Sequence, residues 1–87
     1  MTYNYKPTGV CTRLITLQLE DGIVKDVEFK GGCNGNLQGI RVLVQGMRAT
    51  EAIEKLKGIR CGASSTSCPD QLAVAIGRAL DNKDNED

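Results

Sequence analysis

From Cys11 to Glu20 the chain alternates. Ile15, Leu17 and Leu19 are apolar and Thr12, Thr16, Gln18 and Glu20 polar, with Leu14 the single exception. A period of two marks a strand with one buried face. Asp21-Gly22 signals a turn, and "IVKDVEFK" resumes with Ile23, Val27 and Phe29 in phase, interrupted by Lys25. A two-residue loop at Asp21-Gly22 would set Leu17 opposite Asp26 and Ile15 opposite Glu28, bringing carboxylates onto the apolar face. A three-residue loop, Glu20-Asp21-Gly22, sets Ile15 opposite Val27 and Leu19 opposite Ile23, with Gly22 in the left-handed position of a bulged turn. The second register is the expected one. "MTYNYKPTG" suits an edge strand, because Pro7 cannot donate to a central ladder.

Beyond Phe29 the period lengthens. In "GGCNGNLQGIRVLVQGM", Leu37, Ile40, Leu43, Val44 and Met47 recur at helical spacing, with Asn34 or Asn36 as N-cap. Gly39 weakens this helix, and Gly46 ends it or lies in its last turn. "TEAIEKL" predicts a short helix capped by Thr50, with Ile53 and Leu56 inward and Gly58 as its stop. A third helix is expected after Cys68. Pro69 suits its first position, Asp70 its positive end, and Leu72, Ala73, Ile76, Ala79 and Leu80 its buried stripe. The expectation is an α+β fold: a small antiparallel β-meander of two to three strands packed against about three helices.

The chain has 87 residues, enough for one domain, with a core over about 5–80 and a charged tail, 81–87, that should fray. Tyr3, Tyr5 and Phe29 are its aromatics, so Leu, Ile, Val and Ala must fill the core. A metal, a cross-link or a partner subunit would help so small a core. Eleven basic and eleven acidic residues cancel, and no stretch concentrates Lys or Arg, which argues against a nucleic-acid partner. The longest apolar run is far too short to span a membrane, and "MTYNYKPTGV" lacks the apolar core of a signal peptide. A cytoplasmic location is expected, where stable disulfides are rare. Metal binding or redox chemistry is then the better use for the four cysteines.

Those cysteines are Cys11, Cys33, Cys61 and Cys68, and no two form a CxxC pair. All four fall at the ends of predicted elements. Cys33 and Cys68 precede helix starts, where unpaired N–H groups favour thiolate over thiol. Thiolate is the form that binds metal. Cys68 is expected at the N-cap of the last helix, its thiolate supported by the N–H groups of Asp70 and Gln71, with its sulfur partly accessible. Cys11, at an odd position of the first long strand, is expected to be shielded. There is no histidine to make a Cys-His or Ser-His pair. "GGCNGNLQG" has neither the Walker A nor the dinucleotide glycine spacing. Ser64, Ser65, Thr66 and Ser67 read as a capping, solvated loop, and Asp70 as a helix-start charge.

"TSCPDQLA" (66–73), with "GGCNGNLQGI" (31–40) and "LKGIRCG" (56–62), closely resembles the TSCPD domain in its stand-alone four-cysteine form. The same domain type occurs near the C-terminus of adenosylcobalamin-dependent ribonucleotide reductases. The resemblance implies an accessory module of ribonucleotide reduction, partnered by a reductase or another redox protein and able to form an oligomer. The chain is too short for the reductase's own activity. A more distant similarity is to NifU-type iron–sulfur scaffold proteins, which carry three cysteines in this order between a small antiparallel sheet and helices. Cys11, Cys33 and Cys68 match those three. The scaffold's aspartate after its first cysteine is missing, since Thr12 and Arg13 follow Cys11, and Ser67 stands where many scaffolds have histidine. Cys61 is additional and supplies a fourth ligand. The similarity implies zinc or an iron–sulfur cluster on Cys11, Cys33, Cys61 and Cys68; four thiolates make a closed structural site. The alternative is a dithiol redox relay or a scaffold-like protein.

Overall fold

The computed structural model describes residues 1–31, 34–60 and 66–85. Strands β1 (Thr2–Tyr5), β2 (Leu14–Glu20) and β3 (Ile23–Lys30) form an antiparallel sheet in the order β1-β2-β3. Helices α1 (Asn34–Val44), α2 (Ala49–Leu56) and α3 (Cys68–Asn85) follow. The architecture is the expected α+β, with Pro7 just beyond an edge strand.

Ile15, Leu17 and Leu19 are buried as the alternation requires, and pack with Leu72, Ala75, Ile76 and Ala79 of α3. Each large aliphatic so buried is worth about 2 kcal/mol of transfer free energy. Ala49 and Ala52 let α2 lie close to this layer. Helix α3 runs on through 81–85, into the stretch whose composition suggested a tail. Among the described residues no helix is long and apolar enough to cross a membrane.

The hairpin differs from its expected register. Glu20 pairs with Ile23, so the loop is the two-residue Asp21-Gly22, both with positive φ (54° and 77°). That pair of angles gives the primed turn whose twist matches the strands. The carboxylates nevertheless stay off the core. Leu19 pairs with Val24 but Gln18 with Asp26, leaving Lys25 as the extra residue of a bulge. The bulge shifts β3 by one residue, so that Leu17 meets Val27 and Ile15 meets Phe29. Lys25, which seemed only to interrupt the alternation, is the residue that corrects it. Asp26 then receives Arg41 of α1 through Nε at 2.7 Å and Nη2 at 2.8 Å, and the Val27 N–H at 2.8 Å. The guanidinium holds the Asp26 carboxyl below its ordinary value.

Two helices also depart in detail. Leu37 and Val44 face the core with Ile40 and Met47 beside them, but Leu43 is 73% exposed. Thr50 is not a cap: α2 begins at Ala49, whose N–H donates to the Gly22 carbonyl at 2.8 Å, so the tertiary backbone supplies the partner. Gly58 stops that helix with φ 82°, as expected.

Candidate metal centre

The start of α3 is capped by Ser67, one residue earlier than the sequence suggested. Its Oγ accepts the Asp70 N–H at 3.2 Å, its carbonyl accepts the Gln71 N–H at 2.8 Å, and its hydroxyl donates to the Ile59 carbonyl at 2.6 Å. Oxygen is a much better acceptor than sulfur, so serine takes the cap and Cys68 moves inside as the first helical residue. The two N–H groups assigned to a Cys68 thiolate are therefore already engaged.

Cys68 instead meets Thr12. The Thr12 Oγ1 lies 3.0 Å from Cys68 Sγ, and Thr12 is only 2% exposed. Cys11, next to it, is exposed, which overturns the expected shielding. The cause is that β2 begins at Leu14, so its alternation does not reach Cys11, and Thr12 turns inward. Cys68 is half-buried.

Gly31, two residues before Cys33, joins the same end. Its φ is 86°, and a Cβ there would stand 3.3 Å from the Cys11 carbonyl oxygen and 3.4 Å from Arg13 Nε. Only glycine allows both that angle and that approach. The Arg13 N–H donates to the Lys30 carbonyl at 2.7 Å, which locks the Cys11 segment against the end of β3.

Asp70 and Gln71 tie in the remaining segments. The Asp70 carboxylate accepts the Gly58 N–H at 2.7 Å and the Thr66 hydroxyl, bracing together the residues on either side of 61–65. Those two bonds hold its carboxyl below the ordinary value, the Thr66 hydroxyl contributing most. Gln71 is 7% exposed; its Oε1 accepts the Thr8 N–H at 3.1 Å and the Tyr5 hydroxyl at 3.2 Å. Its Nε2 donates to Thr66 Oγ1 at 3.1 Å. Thr66, Ser67, Cys68, Asp70 and Gln71 thus each bond to another segment or brace one that does.

The model of the TSCPD domain family matches residues 1–80. The chain belongs to the TSCPD domain family. No curated protein and no solved structure matches it.

In this TSCPD domain Cys68 meets Thr12, the chain neighbour of Cys11, while the Cys11 side chain itself is exposed. Cys33 and Cys61 lie outside the described residues, as do Ser64 and Ser65. Among the described residues no group of three or more Cys, His, Asp or Glu side chains is placed to hold a metal ion. Exposed Arg13 and Lys30, bonded backbone to backbone, and exposed Arg60, whose charge acts on the Asp70 carboxylate, belong to this end.

Thr12 and Gln71 are the residues of this end whose contacts sequence reasoning missed. Gln71 left a signal: it falls in phase with Ala75 and Ala79 on the buried stripe, and a buried amide must be hydrogen-bonded. Thr12 left none, because it looked like the outward half of an alternation that had not yet begun.

Proposed function

We propose that this TSCPD domain holds a zinc ion or an iron–sulfur cluster on Cys11, Cys33, Cys61 and Cys68, and serves ribonucleotide reduction as an accessory module docked to a reductase or another redox protein. The observation that carries the reading is the 3.0 Å contact of Thr12 with Cys68, since it joins the segment of one cysteine to another 57 positions away in a chain of 87. Gly31 and Ile59, each two residues before a further cysteine, belong to the same end. Two residues of chain span at most about 7 Å.

The donor set fits the group. Thiolates select zinc and iron–sulfur clusters over hard cations such as calcium or magnesium. Bound zinc would tie the segments together; a cluster would carry an electron. The chain's own residues do the rest. The Thr12 hydroxyl, in hydrogen-bond contact with the Cys68 sulfur, would donate to a ligating thiolate there and fix its orientation. Arg13, Lys30 and Arg60 would offset the negative charge that four thiolates leave on a divalent ion. The reductase context follows from the similarity of 66–73 and its companion segments to the domain near the C-terminus of adenosylcobalamin-dependent reductases. The order of Cys11, Cys33 and Cys68 supports likeness to NifU-type scaffolds.

Anaerobic purification with elemental analysis and an absorption spectrum tests the site. The expected result is one centre per chain, lost together with thermal stability in Cys33→Ser and Cys68→Ser. Metal-free protein in which Cys→Ala is tolerated at every position would sink the reading. A second reading rests on the exposure of Cys11: a relay in which two thiols become a disulfide as a partner's disulfide is reduced. Thiol titration before and after mild oxidant separates the two.

A further inference from the structure

Two consecutive residues at the cysteine end meet opposite surroundings. Thr12 is buried, with its Oγ1 3.0 Å from Cys68 Sγ, whereas the Cys11 side chain is exposed. The sulfurs of Cys11 and Cys68 are therefore not equally prepared to hold a metal.

Cys68 is held before any metal arrives. It is the first residue of α3, whose start is tied by Ser67 to the Ile59 carbonyl and by Gln71 to Thr8 and Tyr5. The Thr12 hydroxyl touches its sulfur directly. Cys11 is held by its backbone instead. On one side the Thr8 N–H is bonded to Gln71, and on the other the Arg13 N–H is bonded to the Lys30 carbonyl. Its own carbonyl oxygen lies so near Gly31 that a Cβ there would stand 3.3 Å away. Rotation about χ1 is what remains to turn the Cys11 sulfur between solvent and the site.

We infer, resting on the reading that these cysteines hold a metal, that Cys11 is the exchangeable ligand. Cys68 binds as the preorganised anchor, and Cys11 closes the site last and opens it first. A group already in place loses little freedom on binding, whereas an exposed one must first be ordered. With Cys11 ligated, four thiolates make a closed structural site; with Cys11 in solvent, three thiolates leave one open position. A small external thiol fits that position as its thiolate, because it replaces one soft ligand by another. The bond from the metal to the Cys11 sulfur breaks as the bond to the incoming sulfur forms. Cys11 takes up the proton that the incoming thiol releases, and no electron moves.

Anaerobic titration of the full chain with cobalt(II) tests this, because the sulfur-to-cobalt absorption band reports how many thiolates are bound. The wild-type chain should bind one cobalt with a four-thiolate spectrum. Cys11→Ala should still bind one cobalt, with the band reduced by about a quarter, and added 2-mercaptoethanol should restore it. Cys68→Ala should lose the metal, and the thiol should not recover it. Thr12→Val guards against loss of fold as an explanation, since it leaves every cysteine in place. It should weaken cobalt binding about tenfold, with Thr12→Ser returning it to the wild-type value. Equal loss of cobalt in Cys11→Ala and Cys68→Ala overturns the inference and leaves the metal reading standing. So does a Cys11→Ala spectrum that the thiol leaves unchanged. A wild-type chain without a four-thiolate cobalt spectrum overturns both.

Discussion

The two ends of this domain are closed by different chemistry. At the hairpin end the stitching is backbone to backbone. Ala49 N–H reaches the Gly22 carbonyl at 2.8 Å, Val24 N–H the Met47 carbonyl at 2.9 Å, and Gly46 N–H the Val24 carbonyl at 2.8 Å. Ile23 and Arg48 form a further bridge, and the Leu19 N–H bonds the Met1 carbonyl at 2.9 Å. At the cysteine end, beside the backbone bond from Arg13 N–H to the Lys30 carbonyl, the stitching is done mainly by side chains: Thr12, Thr66, Ser67, Asp70 and Gln71. A backbone bond asks little of residue identity, whereas a side-chain bond asks for one particular residue. That is why the family's recognisable string lies at the cysteine end, while the hairpin end reads as ordinary strand and helix.

The difference can be broken first at Gln71. Gln71→Leu keeps the volume but strands the Thr8 N–H and Tyr5 hydroxyl in a half-buried setting. It should cost about 2–3 kcal/mol of unfolding free energy, because an unsatisfied group costs more than a bond gains. Chemical denaturation reads this directly, and a loss near zero would mean that water replaces the amide freely.

Ser67→Ala comes next. It removes the α3 cap and the bond to the Ile59 carbonyl, at an expected cost of about 1–2 kcal/mol. Arg48→Ala at the hairpin end is the matched control. Arg48 takes part through its backbone, so the change should stay within about 0.5 kcal/mol. Equal losses at the two positions would erase the comparison.

The smallest effect sharpens it by pH. Asp70 has its carboxyl held below the ordinary 3.8, so the folded state prefers the ionised form. Its stabilisation is present in full above the unfolded value and disappears as pH falls through the folded one. Asp70→Asn should therefore lower stability modestly at neutral pH and flatten the decline below about pH 4. Asp26, lowered by Arg41 and not bonded to Asp70 or its partners, should leave its own share of that decline intact. An acid limb unchanged in Asp70→Asn would show that the bracing of Gly58 and Thr66 does not depend on the carboxylate's charge.

The sequence by itself determined the elements. Period-two alternation in 15–19, helical spacing in 37–47 and 72–80, and glycines at 46 and 58 arise from local geometry, which any window of the chain carries. It also determined that Thr66–Ala73 is a distinctive string, though not what its polar residues hold. Only the tertiary structure decided how the elements engage. The bulge at Lys25 was settled by the need to keep Asp26 and Glu28 off the core, a condition that exists only once β2 and β3 face each other. The cap at Ser67 rather than Cys68 was settled by the nearby Ile59 carbonyl, and Ala49 was fixed by the Gly22 carbonyl. Cys11 turned outward and Thr12 inward because strand pairing begins at Leu14, and the partner of Thr12 stands 56 positions on. Gathering Arg13, Lys30 and Arg60 at one end of a chain with no net charge is likewise a consequence of folding. Each of these depends on atoms distant in sequence and adjacent in space, a relation that periodicity does not encode.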